Sequence, residues 1–396
     1  MTQPALGFST RAVWSGQEPC AATGATIVPV YQSVTFTLPQ IGTTRGYDYS
    51  RTANPTRSAL ERQLADLEGG RYCSAFASGM AAVAGAASLL CAGDHIVATR
   101  DIYGGTHRLF TQILARYGIG VTFVDMTDLQ AIRRATGPKT RLLWIETPSN
   151  PTLKVADIAA IARERLPGIV IAVDNTFASP FLQQPLGLGA DVVVHSTTKY
   201  IGGHSDALGG AVISNDREIA EAIAHHQNAV GAVPGPWDAY LTLRGAKTLA
   251  LRMQAQSRNA AAIAEFLAAR EDVSEVFYPG LPQHPQHDLA KRQMRAFGGI
   301  VSFRPKGGAQ RAQAIAASTS IFNLAVSLGG VESLICSPAR MTHASLTPQE
   351  RAELGIGDDL LRLSVGIEEI DDLLADLRSA LELKEPACAG SIVATY

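Results

Sequence analysis

The chain has 396 residues, enough for two domains, and its 46% hydrophobic and 18% charged residues exclude disorder as the main state. With a formal net charge of −2 the chain has no excess of positive charge to attract nucleic acid or an anionic membrane, so we expect neither as a partner. Five dispersed cysteines and a first segment without a signal-peptide pattern indicate a reduced, cytoplasmic setting.

Residues 1–60 have the pattern of an extended arm. Pro29, Pro39 and Pro55 interrupt any long helix, and turn-forming residues crowd the segment TTRGYDYSRTANPTR. The tip of the arm carries Tyr49 and Arg51, an unusual composition for a simple linker.

A helical pattern begins near residue 58, and short apolar runs then alternate with further helical stretches. Residues 72–93 carry no formal charge, but they are rich in Ala, Gly and Ser and predict a strand with a closely packed helix rather than a membrane span. The alternation predicts an α/β fold with a mainly parallel central sheet, which binds ligands at the carboxyl ends of its strands. The predicted strands are residues 74–77, 95–98, 121–124, 142–146, 170–173, 191–195 and 210–214.

The alternation stops at the segment Val-Pro-Gly-Pro, residues 233–236. Residues 237–270 predict one long helix that leads into a smaller C-terminal α/β domain. That domain has predicted strands at 299–303 and 361–365, a last helix at 370–383 and a loose tail at 385–396. The predicted organisation is therefore an arm over 1–60, a larger domain over 61–245 and a smaller domain over 246–396.

Lys199 follows a buried strand and precedes a glycine-rich segment, VVVHSTTKYIGGHSDALGG. Burying an ammonium group costs several kcal/mol unless its pKa falls and the amine becomes neutral. A neutral amine in a dry pocket attacks carbonyls, and pyridoxal phosphate is the carbonyl cofactor that uses one. Taken alone, the lysine is better explained by a side chain that extends from the strand end to water, and the neighbouring motifs overturn that interpretation.

Two further features at predicted strand ends suit the same cofactor. Ser78-Gly79-Met80 turns a strand into an alanine-rich helix, whose N-terminal N–H groups favour a phosphate. Asp174 ends the apolar run IVIAV, where a carboxylate could pair with a pyridine nitrogen and make the ring an electron sink. An ordinary strand-to-helix turn and a helix N-cap are the alternative interpretations.

Hydroxyl and aromatic groups complete the pattern. Ser196 and Thr198 flank the lysine and could contact the cofactor phosphate and ring, although simple turn chemistry also explains them. Tyr103, after another predicted strand, could stack on a ring or could be an ordinary core tyrosine.

Seven segments in this order and spacing resemble the Cys/Met-metabolism family of pyridoxal-phosphate enzymes, closest to its cystathionine γ-synthase and cystathionine γ-lyase branch. They are SGM, YGGTHRLF, ETPSNP, VDNTFASP, HSTTKYIGGHSD, SLGGVESL and RLSVGIE. The resemblance covers residues 7 to about 383. It implies the aspartate-aminotransferase-like fold (fold type I), pyridoxal 5'-phosphate as cofactor and a homotetramer built from two catalytic dimers.

The resemblance also implies roles for individual residues. Lys199 would carry the cofactor, Asp174 would pair with the ring nitrogen and Tyr103 would stack on the ring. Arg362 would grip the α-carboxylate of a small amino-acid substrate. The remaining expected contacts are Gly79, Met80, Ser196 and Thr198 for the phosphate, Asn150 and Ser327 for the substrate, and Tyr49 and Arg51 for the phosphate of a neighbouring subunit's site. Glu332 is a separate hypothesis: its carboxylate could pair with the distal ammonium group of cystathionine, and an ordinary surface glutamate is the alternative.

The implied reaction is carbon–sulfur bond cleavage or formation at Cγ of cystathionine or activated homoserine. A cystathionine β-lyase, a homoserine-ester sulfhydrylase and a methionine γ-lyase remain alternatives within the family. Gly105 replaces the cysteine of the YGCT segment of methionine γ-lyases, and Leu328 replaces the aromatic residue of one β-lyase branch. Val326 stands where many relatives carry the acid of AESLGG, which indicates a changed substrate entrance.

Outside this enzyme family, the alternative functions are a metal-dependent hydrolase and an inactive binding protein with the same fold. Several histidines, such as His204, His225 and the pair His284 and His287, invite a metal interpretation. No HExxH segment or Cys/His set accompanies them, so we predict no metal site.

Overall fold

The computed structural model describes residues 6–344 and 347–382, and these residues form two sheets covered by helices. The larger sheet contains β1 (Tyr72–Phe76), β2 (His95–Thr99), β3 (Gly120–Val124), β4 (Thr140–Glu146), β5 (Val170–Asp174), β6 (Val192–His195) and β7 (Gly210–Ser214). The smaller sheet contains β8 (Val273–Phe277), β9 (Ile300–Pro305), β10 (Asn323–Leu324), β11 (Leu334–Cys336) and β12 (Leu361–Ser364).

Helices lie between most of these strands. Before β8 the chain forms α1 (Phe8–Trp14), α2 (Pro55–Glu68), α3 (Gly79–Ala87), α4 (Gly104–Arg108), α5 (Leu129–Ala135), α6 (Ile158–Glu164), α7 (Ser179–Leu182), α8 (Arg217–Val230), α9 (Pro236–Ala246) and α10 (Leu249–Ala268). After β8 it forms α11 (His287–Gln293), α12 (Gly308–Ser318), α13 (Pro348–Glu353) and α14 (Ile370–Glu382). Short π and 3₁₀ turns lie at Leu109–Ile113, Leu114–Tyr117 and Pro185–Leu188.

The larger sheet has the strand order β1-β7-β6-β5-β4-β2-β3. Strands β3, β2, β4, β5 and β6 pair in parallel, while β7 runs antiparallel between β6 and β1. Along β6, Val192 and Val194 join the apolar cluster on one face of the sheet, and Val193, whose side chain alternates to the other face, is fully buried as well. Both faces of the sheet are therefore buried, as is usual for a mainly parallel sheet. Residues that bind a ligand must then lie at the ends of the strands.

The predicted long helix over 237–270 is wrong in one respect, because the structure divides it into α9 and α10. Thr248 leaves the helical conformation between them, and its hydroxyl donates to the Gly245 carbonyl at 3.2 Å. Such a local side-chain bond competes with the helical backbone bonds and explains the break.

The first 60 residues are less extended than predicted. Helix α1 packs Phe8 against Phe181 with ring centroids 5.2 Å apart. Helix α2 begins at Pro55 rather than near residue 58, because Asn54 caps it and accepts the N–H of Thr56 at 2.9 Å. The predicted tail at 385–396 and residue 383 of the last helix lie outside the described residues.

Strands β8, β10 and β11 were not predicted. Strand β8 is mostly accessible, and the other two have two and three residues, too few for a period to show in the sequence. Among the described helices, none combines the length and apolar character that crossing a bilayer would need.

Candidate active site

A cavity of about 470 Å³ lies where the carboxyl ends of the larger sheet meet β12 and the segment before β11. It brings together most of the residues singled out from the sequence. A larger groove of about 830 Å³ between α10, β8 and the end of α13 contains none of the residues predicted to bind the cofactor or the substrate. The predicted residues that line the smaller cavity are Gly79, Met80, Tyr103, Asn150, Asp174, Ser196, Thr198, Lys199, Ser327 and Arg362.

Lys199 stands just beyond β6, and its Nζ donates a hydrogen bond to Ser327 Oγ at 2.7 Å. Burial, and then the positive charge of Arg362, lower the pKa of Lys199 to about 8. The amine is therefore available in its uncharged, nucleophilic form at mildly alkaline pH.

Arg252 of α10 holds the backbone that follows Lys199. It was not singled out from the sequence, because it lies within an ordinary helical pattern. Its guanidinium donates to the carbonyls of Tyr200 at 2.6 Å and Ile201 at 3.1 Å. Arg252 is 4% exposed, and burial lowers its pKa to about 10. A buried cation thus anchors the segment that carries the lysine.

Asp174 ends β5 and accepts the backbone N–H of Thr176 at 3.0 Å. Glu146, which the sequence analysis did not single out, ends β4 directly opposite it in the parallel register. Burial raises the pKa of both carboxyls, and the mutual repulsion of the pair contributes strongly for Glu146. The end of a buried strand inside the segment ETPSNP was the signal that could have identified this second acid.

The N-terminus of α3 forms the wall opposite these acids. Ser78 caps the helix by accepting the N–H of Ala81 at 3.1 Å. A Cβ atom built on Gly79 would lie only 2.7 Å from Ser196 Cβ, so the backbone approaches the serine more closely than any other residue would allow. Together with the hydroxyl of Thr198, this makes a compact cradle with the donors that a phosphate needs.

Tyr103 lies at the mouth of the cavity and is 41% exposed. Its backbone N–H donates to Glu146 Oε2 at 2.8 Å. A Cβ atom on Gly105 would lie 2.5 Å from Tyr103 Cε1 and 2.8 Å from Met80 Sδ. A cysteine at position 105 would therefore require the Tyr103 ring or the Met80 side chain to move.

Arg362 projects from β12 and is 2% exposed. Its Nη1 donates to Asn150 Oδ1 at 2.8 Å, and its Nη2 donates to the carbonyl of Ser327 at 2.9 Å. Its buried Nε has no partner within the described residues. Ser327 adopts a φ of 93°, an uncommon conformation that directs its carbonyl to Arg362 while its hydroxyl meets Lys199.

Three predicted residues lie outside this cavity. Arg51 donates to the carbonyl of Asn228 at 3.0 Å and lies 5.8 Å from the centroid of the Tyr49 ring, on the surface of the same chain. Glu332 accepts a hydrogen bond from Ser205 Oγ and lines an adjoining cavity of about 440 Å³. The two cavities share Thr198, Leu208, Val326 and Ser327, so Glu332 borders the entrance rather than the centre.

The donor set of the main cavity fits pyridoxal phosphate. The cofactor requires an amine of lowered pKa, a carboxyl group at the ring nitrogen and a cradle for the phosphate, and Lys199, Asp174 and the turn at Gly79 offer these. An amino-acid substrate requires a cation for its carboxylate, and Arg362 offers a buried guanidinium whose Nε has no partner within the described residues. No group of three or more His, Cys, Asp or Glu side chains within residues 6–344 and 347–382 is arranged to hold a metal ion.

Comparison with known proteins gives a consistent result. Residues 9–382 match the family model described as Cys/Met metabolism PLP-dependent enzyme. The chain is 56% identical over 380 residues to the cystathionine gamma-synthase of Mycobacterium tuberculosis, covering 95% of this chain and 97% of that one. It is 50% identical over 377 residues to the cystathionine beta-lyase of Coxiella burnetii, covering 94% and 97%.

A solved structure of cystathionine gamma-lyase from Lactobacillus plantarum, complexed with L-serine, superposes with a TM-score of 0.93 at 45% identity, covering 95% of this chain and 98% of that one. The family, the fold type I architecture, the cofactor and the enzyme class expected from the sequence are thereby confirmed. The chain belongs to the Cys/Met metabolism family of enzymes that depend on pyridoxal phosphate.

Proposed function

We propose that this enzyme makes or breaks the bond between Cγ and sulfur, using cystathionine or an activated homoserine as its amino-acid substrate. The observation that carries the proposal is the single cavity that unites Lys199, Asp174 and Arg362. The similarity to proteins named cystathionine gamma-synthase, gamma-lyase and beta-lyase supports this choice of substrate.

The residues of the cavity divide between the cofactor and the substrate. Lys199 would hold the cofactor, Asp174 its ring nitrogen and Tyr103 its ring face, while Gly79, Met80, Ser196 and Thr198 would surround its phosphate. When bound, pyridoxal phosphate supplies an electron sink that stabilises negative charge on the substrate carbons.

The protein's own groups would then bind the substrate and move protons. The free N–H groups of Arg362 hold the α-carboxylate, with Asn150 orienting the guanidinium through their 2.8 Å contact. The uncharged amine of Lys199 would take the proton from Cα and pass it to the cofactor carbon C4′, since its pKa of about 8 leaves it able to accept a proton at mildly alkaline pH. Lys199 or the hydroxyl of Tyr103 removes the proton from Cβ, after which the γ-substituent leaves.

A thiol then adds at Cγ in the synthase direction, or hydrolysis releases 2-oxobutanoate and ammonia in the lyase direction. The β-lyase reaction is the second candidate, because of the 50% identity to a protein of that name. Gly105 argues against methionine as the substrate of a γ-lyase reaction. Leu328 argues against one branch of the β-lyases. A homoserine-ester sulfhydrylase would differ only in the incoming thiol.

Product analysis tests the assignment. The purified enzyme is supplied with cystathionine, with O-succinylhomoserine plus cysteine, or with homocysteine. Cysteine and 2-oxobutanoate from cystathionine identify a γ-lyase, cystathionine from the second mixture identifies a γ-synthase, and homocysteine with pyruvate from cystathionine identifies a β-lyase. Absence of both Cγ products would reject the proposal, and homocysteine with pyruvate in their place would establish the second candidate instead.

We further propose a cytoplasmic homotetramer of two catalytic dimers, in which residues 1–60 serve a neighbouring subunit, 61–245 bind the cofactor and 246–396 complete the substrate site. Large apolar side chains on the arm support this assembly, because Val34 is 55% exposed, Leu38 is 46% exposed and Ile41 is fully exposed. Light scattering of the purified enzyme measures the oligomeric state directly.

A further inference from the structure

The proposed reaction leaves one buried acid of the cavity without a role. Glu146 is 5% exposed and lies at the end of β4, directly opposite Asp174 at the end of β5. Neighbouring parallel strands are about 4.8 Å apart, and the two carboxyls lie in register at the wall of the same cavity. Two adjacent buried carboxyls do not both ionise at ordinary pH, because each negative charge opposes the other.

The second observation links Glu146 to Tyr103. Glu146 Oε2 accepts the backbone N–H of Tyr103 at 2.8 Å, and the side chain of Tyr103, the N-cap residue of α4, makes no capping hydrogen bond within the described residues. The hydrogen bond therefore fixes the backbone from which the Tyr103 ring projects into the cavity. A carboxylic acid and an amide both offer a carbonyl oxygen for this bond, so a negative charge is not required.

The surrounding groups decide which acid of the pair keeps the proton. Burial and then the negative charge of Asp174 raise the pKa of Glu146 well above its usual range, and Asp101 raises it further, while the backbone N–H groups of Tyr103 and Asn150 oppose the rise without cancelling it. Burial raises the pKa of Asp174 as well, but the hydrogen bonds from Thr176 and the neighbouring His195 oppose that rise. The cations of the same cavity are Lys199, Arg362 and Arg108.

We propose that Glu146 is a positioning residue that stays protonated, anchors Tyr103 through its backbone N–H and leaves Asp174 as the charged member of the pair. The inference rests on the proposed roles of Asp174 and Tyr103. It assigns Glu146 no contact with the reacting atoms, so its effect reaches the reaction through the placement of Tyr103 and the charge of Asp174.

The test compares E146A and E146Q holoenzymes with wild type, with E218Q on the exposed face of α8 as a control for mutation itself. Glutamine keeps a carbonyl acceptor and cannot ionise, whereas alanine removes the acceptor. We expect kcat/KM to fall on the order of 100-fold in E146A, since misplacing a catalytic group by about 1 Å costs that much. We expect E146Q to retain at least about tenfold more activity than E146A, a difference of about 1.4 kcal/mol in the barrier.

Two readouts without substrate separate this inference from the proposed function. The circular dichroism of the bound cofactor reports the ring's surroundings, and we expect it to change in E146A and to return towards wild type in E146Q. The thermal midpoints of both variants establish that they fold. These measurements remain informative even if the substrate assignment is wrong.

Three outcomes would overturn the proposal. If E146Q were as impaired as E146A while both fold, the site would need the negative charge of Glu146. If E146A kept wild-type dichroism and activity, Glu146 would not position Tyr103. If the pH dependence of the cofactor absorbance in the neutral range lost an ionisation in E146Q, Glu146 would be titrating there rather than holding its proton.

Discussion

Lys199 Nζ lies 2.7 Å from Ser327 Oγ, so the amine at the end of the larger sheet is held by the segment between β10 and β11 of the smaller one. The same serine gives its carbonyl to Arg362 at 2.9 Å. One strained residue therefore sets the distance between the proposed base and the proposed carboxylate-binding group, and the predictions below test this arrangement.

Replacing Lys199 by alanine is expected to abolish turnover and the visible absorbance of lysine-bound cofactor. Within residues 6–344 and 347–382, no other lysine lines the cavity. Borohydride reduction of wild type followed by peptide mapping should place the cofactor on residue 199, and K291A on the surface of α11 serves as the control. A label on Lys154 or Lys247 would contradict the assignment.

The pH dependence of Lys199 follows from its surroundings. In the cofactor-free protein, reaction of the amine with an acylating reagent should reach half its maximum near pH 8, because burial and then Arg362 lower its pKa to about 8. Between about 8 and the ordinary value of 10.5 the unfolded chain binds the extra proton, so the free energy of unfolding should rise with pH in this window. Half-maximal labelling of residue 199 near pH 10.5 would show that the amine is not desolvated.

Arg362→Lys is expected to raise KM by roughly tenfold to a hundredfold, because a hydrogen bond to a charged group contributes about 1.5–3 kcal/mol and lysine cannot reproduce the fork. The effect on kcat should be smaller, since the carboxylate is held equally before and during the reaction. Arg340→Lys, at an exposed ion pair with Asp358, is the matched control. An unchanged KM in R362K would place the carboxylate elsewhere.

Glu332 is expected to favour cystathionine over methionine, because a carboxylate at the entrance can pair with the distal ammonium group that methionine lacks. Its hydrogen bond with Ser205 places it in the adjoining cavity that opens from the main one. The E332A variant should reduce kcat/KM for cystathionine by about tenfold relative to methionine, as a charge-assisted contact of about 1.5 kcal/mol requires. D206N tests the other carboxylate of this cavity, and an unchanged ratio in E332A would remove Glu332 from the substrate site.

Arg51 is expected to act in the site of a neighbouring subunit, together with Tyr49. In its own chain it lies over the Tyr49 ring and bonds to Asn228 at the surface, outside the cavity. Mixing inactive K199A subunits with inactive R51A subunits should restore part of the activity, because one site of each hybrid dimer then has both residues. Absence of recovery after proven subunit exchange would return Arg51 to its own chain.

Much of the site follows from the sequence because its residues stand where apolar strands end. Asp174 directly follows a run of valine and isoleucine, Lys199 stands five positions after Val194, and the parallel sheet brings such positions to one edge. Glu146 occupies the same kind of position, but the polar segment after it resembles an ordinary turn. Arg252 lies within a helical pattern, and its contacts with Tyr200 and Ile201 depend on tertiary packing that no local pattern records.

The fold shows the same division between local and long-range causes. The strands of the larger sheet were predicted within a few residues, since their burial leaves long apolar runs. The break between α9 and α10 depends on one hydroxyl of Thr248, and the short strands β10 and β11 depend on pairing with each other and with β12. Neither effect changes the hydrophobic period along the chain.

The close approach of Gly79 to Ser196 limits which sequences can occupy this site. Every other amino acid would bring a Cβ atom to within 2.7 Å of Ser196 Cβ and 2.8 Å of its Oγ, and both are held close to the backbone of β6. Divergence among enzymes that keep this geometry would then be confined to the entrance, where Val326 and Leu208 are more than half exposed. New substrate preferences can therefore arise by exchanging side chains at the entrance, while position 79 stays restricted to glycine.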